Sequence, residues 1–152
     1  MRPITRSARD YALSMLERSD RTEQELRRKL HERGYIQEEI DEAIDFLKSY
    51  YYVNDAAYAG KYTRACSSRK SIRQIRFELE RKGVDRELID AALEDTEVDE
   101  KAQIREFLLK KGYHSGESMD AASCRKLVGT LSRKGFSYEA IRSVMSRMCE
   151  EL

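Results

Sequence analysis

The stretch TEQELRRKLHERGY, residues 22–35, decides the fold because it carries every signal of one complete α-helix. Thr22 can cap the helix N-terminus, and Glu25 stands three residues later, where a capping box takes Glu or Gln. Two leucines four residues apart provide a single apolar face. Gly34 can then adopt the left-handed conformation that ends a helix. The stretch therefore predicts a short amphipathic helix with defined ends.

This stretch occurs three times in the chain. It returns as SIRQIRFELERKGV at residues 71–84 and as SCRKLVGTLSRKGF at residues 123–136, so the copies lie about 50 residues apart. Apolar residues at spacings of three and four predict a further helix before and after each copy. We therefore predict an all-α protein in which three tandem three-helix repeats stack in an elongated, curved array. The predicted repeats are residues 1–50, 51–98 and 99–152.

The composition favours thin helical layers over one broad core. Hydrophobic residues make up 40% of the 152 residues, charged residues make up 38%, and the mean hydropathy is −0.75. A single proline leaves the predicted helices almost uninterrupted. No apolar stretch approaches the roughly 20 residues that cross a bilayer, and the N-terminus lacks the apolar core of a signal peptide. We therefore expect a cytoplasmic protein without membrane contact. We also expect it to be a monomer.

Neither a metal site nor an enzyme is expected. Cys66, Cys124 and Cys149 are widely spaced and form no CxxC pair, so we expect free thiols in a reducing compartment and no bound metal. The chain contains no Gly-x-Ser-x-Gly turn and no glycine-rich phosphate loop. Its many carboxylates stand beside cations at helix spacing, which is typical of a solvated face. We therefore expect no catalysis and no cofactor.

The charges are sorted along the chain although the net charge is only +1. Residues 61–82, the basic segment, carry eight cations against two acids, and residues 85–100 carry eight acids against one arginine. Repulsion makes such a cluster unfavourable without a partner, so we interpret the basic segment as a binding surface. If it is helical throughout, Arg69, Arg73 and Arg76 lie within about 60° of one another. The alternative is a solvated face whose charges pair with the acidic residues.

The predicted contact residues come from this segment and from a weaker basic stretch in the first repeat. Phe77 borders the cations, and it either contacts the partner or packs against a neighbouring repeat. A partner with a phosphate or carboxylate surface would fit, and salt would weaken the complex. The predicted contacts are Lys61, Arg64, Arg69, Lys70, Arg73, Arg76 and Phe77, with Arg27 and Arg28 as a lesser site.

Three consecutive tyrosines, Tyr50, Tyr51 and Tyr52, precede Val53 at the junction of the first two predicted repeats. Thin repeats must cover one another's apolar edges, so we predict that this cluster packs between the repeats. The alternative is that the rings stack on a ligand.

Two parts of the sequence resemble the RecX family. Residues 22–35 resemble the signature of that family's first repeat. Residues 52–84 resemble its central and most diagnostic repeat, through YVND at 52–55, Tyr58-Ala59, Arg69-Lys70, IRFEL at 75–79 and KGV at 82–84. The order and spacing of these motifs are fairly specific, and the resemblance spans nearly the whole chain. The chain departs from the family where Asn54 replaces a common aspartate, Tyr58 a usual phenylalanine, and Ser71-Ile72 a usual Gly-Pro.

The resemblance implies a modulator of the RecA recombinase, most often an inhibitor. Members of the family are described as binding RecA filaments on DNA along the filament groove, and as lowering strand exchange, ATP hydrolysis and coprotease activity. The partner would then be the RecA filament, with at most weak direct contact to DNA. The alternative is a direct nucleic-acid-binding helical module, because a basic middle helix can enter a groove. The acidic residues at 85–100 count against that alternative as the principal role.

Overall fold

The computed structural model describes residues 6–114 and 117–150, and the all-α prediction is confirmed there. These two ranges contain nine helices and no strand. The helices are α1 (Ala8–Arg18), α2 (Glu23–Glu32), α3 (Gln37–Ser49), α4 (Asp55–Cys66), α5 (Ile72–Arg81), α6 (Arg86–Glu94), α7 (Glu100–Lys110), α8 (Ala121–Arg133) and α9 (Tyr138–Met145). None of the nine combines the length and the apolar character that crossing a membrane requires.

The helix ends form where the sequence signals predict them. Thr22 Oγ1 accepts a hydrogen bond from the Glu25 N–H at 3.2 Å, and Glu25 Oε1 accepts one from the Thr22 N–H at 3.0 Å, which completes the capping box of α2. Ser71 caps α5 in the same position, because its Oγ accepts the Gln74 N–H at 3.1 Å. The glycines that follow α2, α5 and α8 all have positive φ, as expected for left-handed helix ends.

The chain folds into two compact units. The first unit comprises Met1–Tyr62 with Glu78–Ala92, and the second comprises Thr63–Phe77 with Leu93–Leu152. The first unit has a buried core of small and branched aliphatic side chains and one tyrosine: Ala8, Ala12, Leu26, Leu30, Tyr35, Ile40, Ala43, Ile44, Leu47 and Val53. The core of the second unit contains Ile104, Leu108, Cys124, Leu127, Leu131, Phe136, Ala140, Ile141, Met145, Met148 and Cys149.

One hydrogen bond recurs in both units and joins a helix start to a helix end. In the first unit the Thr22 hydroxyl donates to the Lys82 carbonyl oxygen at 2.6 Å, and we call this contact the α2–α5 joint. In the second unit the Ser71 hydroxyl donates to the Lys134 carbonyl oxygen at 2.8 Å, which forms the α5–α8 joint. Each hydroxyl therefore caps its own helix and also satisfies a carbonyl at the end of another helix, where intrahelical partners are missing.

A carboxylate accompanies each joint. Asp55 Oδ1 accepts the backbone N–H of Glu23 at 3.0 Å, and Glu100 Oε2 accepts the backbone N–H of Ile72 at 2.9 Å. Both acceptors are the first residues of their own helices, α4 and α7, and both donors are the first residues of α2 and α5. The first N–H group of α2 and that of α5 are thus each satisfied by a residue far away in sequence.

Each joint also requires a glycine for a second reason besides its backbone angle. A Cβ added to Gly83 would lie 2.4 Å from the Cβ of Gln24, and one added to Gly135 would lie 2.6 Å from Ser71 Oγ. The start of one helix therefore approaches the end of another so closely that no side chain fits between them.

The expectation of three free thiols is wrong for two of the cysteines. Cys124 and Cys149 form a disulfide, and their Cα atoms are 6.1 Å apart. Cys124 lies on α8 and Cys149 follows α9, and these two parts of the chain pack in one core. The separation of 25 residues gives no hint of this pairing, since it depends on how the helices fold together. Cys66 is a free, buried thiol, as expected.

Candidate interaction surfaces

The basic segment is not helical throughout, which corrects the predicted alignment of Arg69 with Arg73 and Arg76. Helix α4 ends at Cys66 and α5 begins at Ile72, so Arg69 lies in the turn between them. The backbone N–H of Arg69 donates to the Cys66 carbonyl oxygen at 3.0 Å. The physical reason is the Ser71 cap, which starts a new helix and leaves residues 67–70 as a turn. Arg73 and Arg76 remain three residues apart on one face of α5.

The predicted contacts of the basic segment differ in exposure. Arg64, Arg69 and Arg73 are exposed, whereas Lys70 and Arg76 are half-buried. Phe77 is 52% exposed, so about half of its surface is open to a partner. Phe77 follows Arg73 by four residues, which places the two on the same face of α5.

Lys61 belongs to the first unit and is engaged in an ion pair. Its Nζ lies 2.6 Å from Asp20 Oδ2, and its side chain is 73% exposed. An exposed pair of this kind contributes little to stability because water and salt screen it. Lys61 can therefore exchange Asp20 for a stronger anionic partner.

The lesser site contains one arginine with a structural role and one that is more open. Arg27 Nε lies 2.9 Å from Glu23 Oε2, and its Nη1 lies 2.7 Å from Asp41 Oδ1. The hydrogen bond to Asp41 raises the pKa of Arg27, and the same bond lowers the pKa of Asp41. Arg28 is exposed, and its ion pair with Glu32 is loose, because its Nε lies as far as 4.0 Å from Glu32 Oε1. Arg28 is thus freer than Arg27 to contact a partner.

Both arginines line a basic cleft that the sequence did not predict. The cleft is about 380 Å³ in volume, and Arg81 and His31 also line it. Arg81 comes from the end of α5 and the other three from α2, so sequence spacing alone cannot bring these side chains together.

Two carboxylates near the start of α2 have shifted pKa values of opposite sign. Burial opposes the charge of Glu23, but hydrogen bonds from Lys48 and Arg27 outweigh this and lower its pKa. Burial raises the pKa of Asp55, although the backbone N–H of Glu23 partly offsets the rise. Their different partners explain the difference, since Glu23 faces two cations and Asp55 receives a neutral donor.

The tyrosine cluster does not pack as predicted. Tyr50, Tyr51 and Tyr52 are 60%, 80% and 55% exposed, and only Val53 is buried. The chain turns at Tyr51, which has a φ of 59° and directs the rings to the surface while Val53 returns to the core. No local sequence signal distinguishes this outcome from burial, because tyrosine suits both environments.

The side chains of these surfaces suit binding. Within residues 6–114 and 117–150, no group of three or more His, Cys, Asp or Glu side chains is arranged to hold a metal ion. The surfaces consist of exposed arginines, lysines and aromatic rings, which are the side chains that anchor macromolecular contacts.

Comparisons with known proteins identify the family. Residues 8–47 match the first three-helix domain of RecX, and residues 54–93 match the second. The regulatory protein RecX of Clostridium botulinum is 30% identical over 90% of this chain and 66% of its own length. That of Clostridium perfringens is 31% identical over 92% of this chain and 68% of its own length.

A solved structure agrees with these sequence matches. The crystal structure of RecX from Lactobacillus salivarius superposes with a TM-score of 0.76 at 26% identity, and the match covers 93% of this chain and 94% of that one. The chain spans about two thirds of the length of the curated relatives named above. The two matched domains and the similarity over nine tenths of the chain lead to one assignment. The chain belongs to the RecX family of regulatory proteins.

Proposed function

We propose that this protein inhibits the RecA recombinase by binding, as a monomer in the cytoplasm, to the RecA filament on DNA. Binding would lower the ATPase, strand-exchange and coprotease activities of RecA. The family is one of regulatory proteins and not of enzymes, so its members act by contact. Membership in this family is the observation that carries the proposal.

The proposed contact surface is centred on the turn before α5 and on the exposed face of that helix. Arg69 and Arg73 are exposed, and Phe77 adds a 52% exposed ring one helical turn after Arg73. Arginine and aromatic side chains together are typical of the few residues that dominate an interface. Guanidinium groups also pair with both carboxylate and phosphate, so this surface suits a nucleoprotein filament.

The remaining predicted contacts would contribute less than this centre. Arg64 is exposed on α4, and Lys70 and Arg76 are half-buried. Lys61 and Arg28 would act as secondary cations. Arg27 would contribute least, because Glu23 and Asp41 already hold its guanidinium.

The test is charge reversal on this surface. Arg69→Glu, Arg73→Glu and Arg76→Glu together should abolish inhibition of the RecA ATPase on single-stranded DNA, while the helix content stays unchanged by circular dichroism. Reversing Arg125, Lys126 and Arg142 provides the control, since all three are exposed cations of α8 and α9 and the net charge changes equally. The control variant should inhibit like the parent.

Two outcomes of this experiment distinguish an error in the proposed contact surface from an error in the proposed function. Full inhibition by the first variant removes the basic segment from the mechanism but keeps the regulatory role. A parent protein that leaves RecA ATPase and strand exchange unchanged at saturating concentration refutes the function itself.

In the lesser site, Arg28→Glu should weaken inhibition without unfolding, whereas Arg27→Glu should also destabilise the first unit because its two ion pairs are lost.

A further inference from the structure

A small cleft in the first unit lies where α4 begins. It is about 140 Å³ in volume, and Tyr51, Tyr52 and Tyr58 contribute three of its lining rings. Tyr51 is 80% exposed and Tyr52 is 55% exposed. Tyr50 extends the aromatic surface, because its ring stacks on Tyr52 with centroids 5.9 Å apart.

Tyr51 occupies a helix-end position at which four other described helices place a glycine. The Tyr52 N–H donates to the Leu47 carbonyl oxygen and the Tyr51 N–H to that of Lys48, which is the hydrogen-bond pattern of a left-handed helix end. Helices α2, α5, α7 and α8 place a glycine of positive φ after their last turn. At the end of α3, Tyr51 has a φ of 59° instead. Such a conformation is strained for a bulky residue.

Burial of the Tyr51 ring does not offset the backbone strain, since this ring is exposed. A glycine or an asparagine would adopt the same backbone more easily. A strained residue whose ring is not buried in its own chain indicates a side chain used for an external contact.

Arg21 supplies a second, independent indication. It lines the same cleft, and its Nε is buried without a hydrogen-bond partner among the described residues. A buried donor of this kind normally finds an acceptor, and a bound anion would provide one. Lys61 lies at the same cleft, and its exposed pair with Asp20 is weak enough to be exchanged.

We propose that this cleft binds single-stranded nucleic acid, with bases stacked on the tyrosine rings and phosphates held by Arg21 and Lys61. Flat aromatic faces beside cations match the alternation of base and phosphate along a single strand. An apolar peptide would need aliphatic walls, and Ala57 is the only aliphatic residue among those described at the cleft. The binding needs no RecA, so it extends the proposed function and stands or falls separately from it.

The experiment uses the full chain and a fluorescein-labelled oligothymidine of about 15 nucleotides without RecA. The parent protein should raise the anisotropy of the label, and added salt should weaken binding. Tyr51→Asn and Tyr52→Ala should each weaken binding roughly 5- to 100-fold, the range expected for the loss of one stacked base. Tyr138→Ala is the matched control, since Tyr138 is 60% exposed on α9, and it should bind like the parent.

Two further readouts exclude a merely structural effect. Tyr51→Asn relieves the strained backbone, so its melting temperature should equal or exceed that of the parent while its affinity falls. The chain has no tryptophan, so its emission comes from tyrosine, and the oligonucleotide should quench that emission less in Tyr52→Ala. Arg21→Gln should also weaken binding and reduce the salt dependence.

The proposal is overturned if the parent fails to bind the oligonucleotide, or if both tyrosine variants bind it as tightly as Tyr138→Ala. Unchanged oligonucleotide binding with weakened binding to RecA would assign the tyrosines to a protein contact instead. A duplex of equal length bound as tightly as the single strand would also refute stacking, because its bases are not free to stack on the rings.

Discussion

Replacing the glycine at the α5–α8 joint should destabilise the protein far more than replacing a glycine of nearly equal φ that faces open space. Gly135 has a φ of 95° and Gly112 a φ of 90°, and both belong to the second unit. Alanine at either position must adopt the left-handed conformation, which costs about 1–2 kcal/mol. For Gly112→Ala nothing more is expected, because the added Cβ meets no atom of the described residues within 4 Å.

Gly135→Ala adds a steric conflict to the same strain. The new Cβ would lie 2.6 Å from Ser71 Oγ and 3.2 Å from the Cβ of Arg73. Ser71 is buried, and its Oγ holds both the Gln74 N–H and the Lys134 carbonyl, so it cannot move away without losing hydrogen bonds. Overpacking of this kind costs about 1–3 kcal/mol, so the total should reach roughly 2–5 kcal/mol.

Urea unfolding followed by circular dichroism measures both variants against the parent. A double-mutant cycle with Ser71→Ala then isolates the contact, because removing Oγ should cost about 1 kcal/mol in the parent but much less in Gly135→Ala. Equal unfolding free energies for Gly112→Ala and Gly135→Ala would show that close approach at the joint does not matter. Simple additivity in the cycle would show that Ser71 is not the group in conflict.

Three other predictions follow from the described contacts. Asp55→Asn should keep or raise stability at neutral pH, because the amide oxygen still accepts the Glu23 N–H while burial no longer opposes a charge; Asp55→Ala should lose about 1–2 kcal/mol in urea unfolding. Glu23 has a lowered pKa, so its stabilisation is present above its ordinary value of 4.5 and is lost as the pH falls below it. Glu23→Gln should therefore lose less stability than the parent when the pH is lowered from about 6 to about 3 in urea unfolding series, and an identical loss would contradict this. Thiol titration of the denatured, unreduced protein should detect Cys66 alone, and reduction of the Cys124–Cys149 bond should lower the unfolding free energy by roughly 3 kcal/mol; three titratable thiols would contradict the pairing.

The features that the sequence predicted are those with local causes. The Thr22 capping box and the left-handed glycines involve residues within a few positions of one another, so their spacing determines the contact. Apolar spacings of three and four likewise predicted a helix before and after each copy, and the structure has α4 before and α6 after the second copy. The division into three repeats and their curved arrangement stay predictions, as do the residues that contact RecA.

The features that sequence reasoning missed depend on three-dimensional proximity. The turn at residues 67–70 is decided by whether Ser71 caps a new helix or continues the preceding one, and a serine allows both. Arg81 joins Arg27 and Arg28 at one cleft only because the end of α5 packs near α2 in the first unit. Tyr51 and Tyr52 are exposed because the chain makes a left-handed turn at Tyr51. The sequence does not mark this turn, since no glycine stands there.

The third copy of the repeated stretch starts its helix differently from the first two copies. The sequence alignment sets Ser123 beside Thr22 and Ser71, but Ser123 lies inside α8 and donates its N–H to Asp120 Oδ1 at 2.9 Å. Asp120 is therefore the cap of α8. A carboxylate accepts hydrogen bonds but has no proton to donate when ionised, so it cannot reach a carbonyl oxygen as Thr22 and Ser71 do. The start of α8 therefore differs from the starts of α2 and α5, because its cap cannot donate the hydrogen bond that forms a joint.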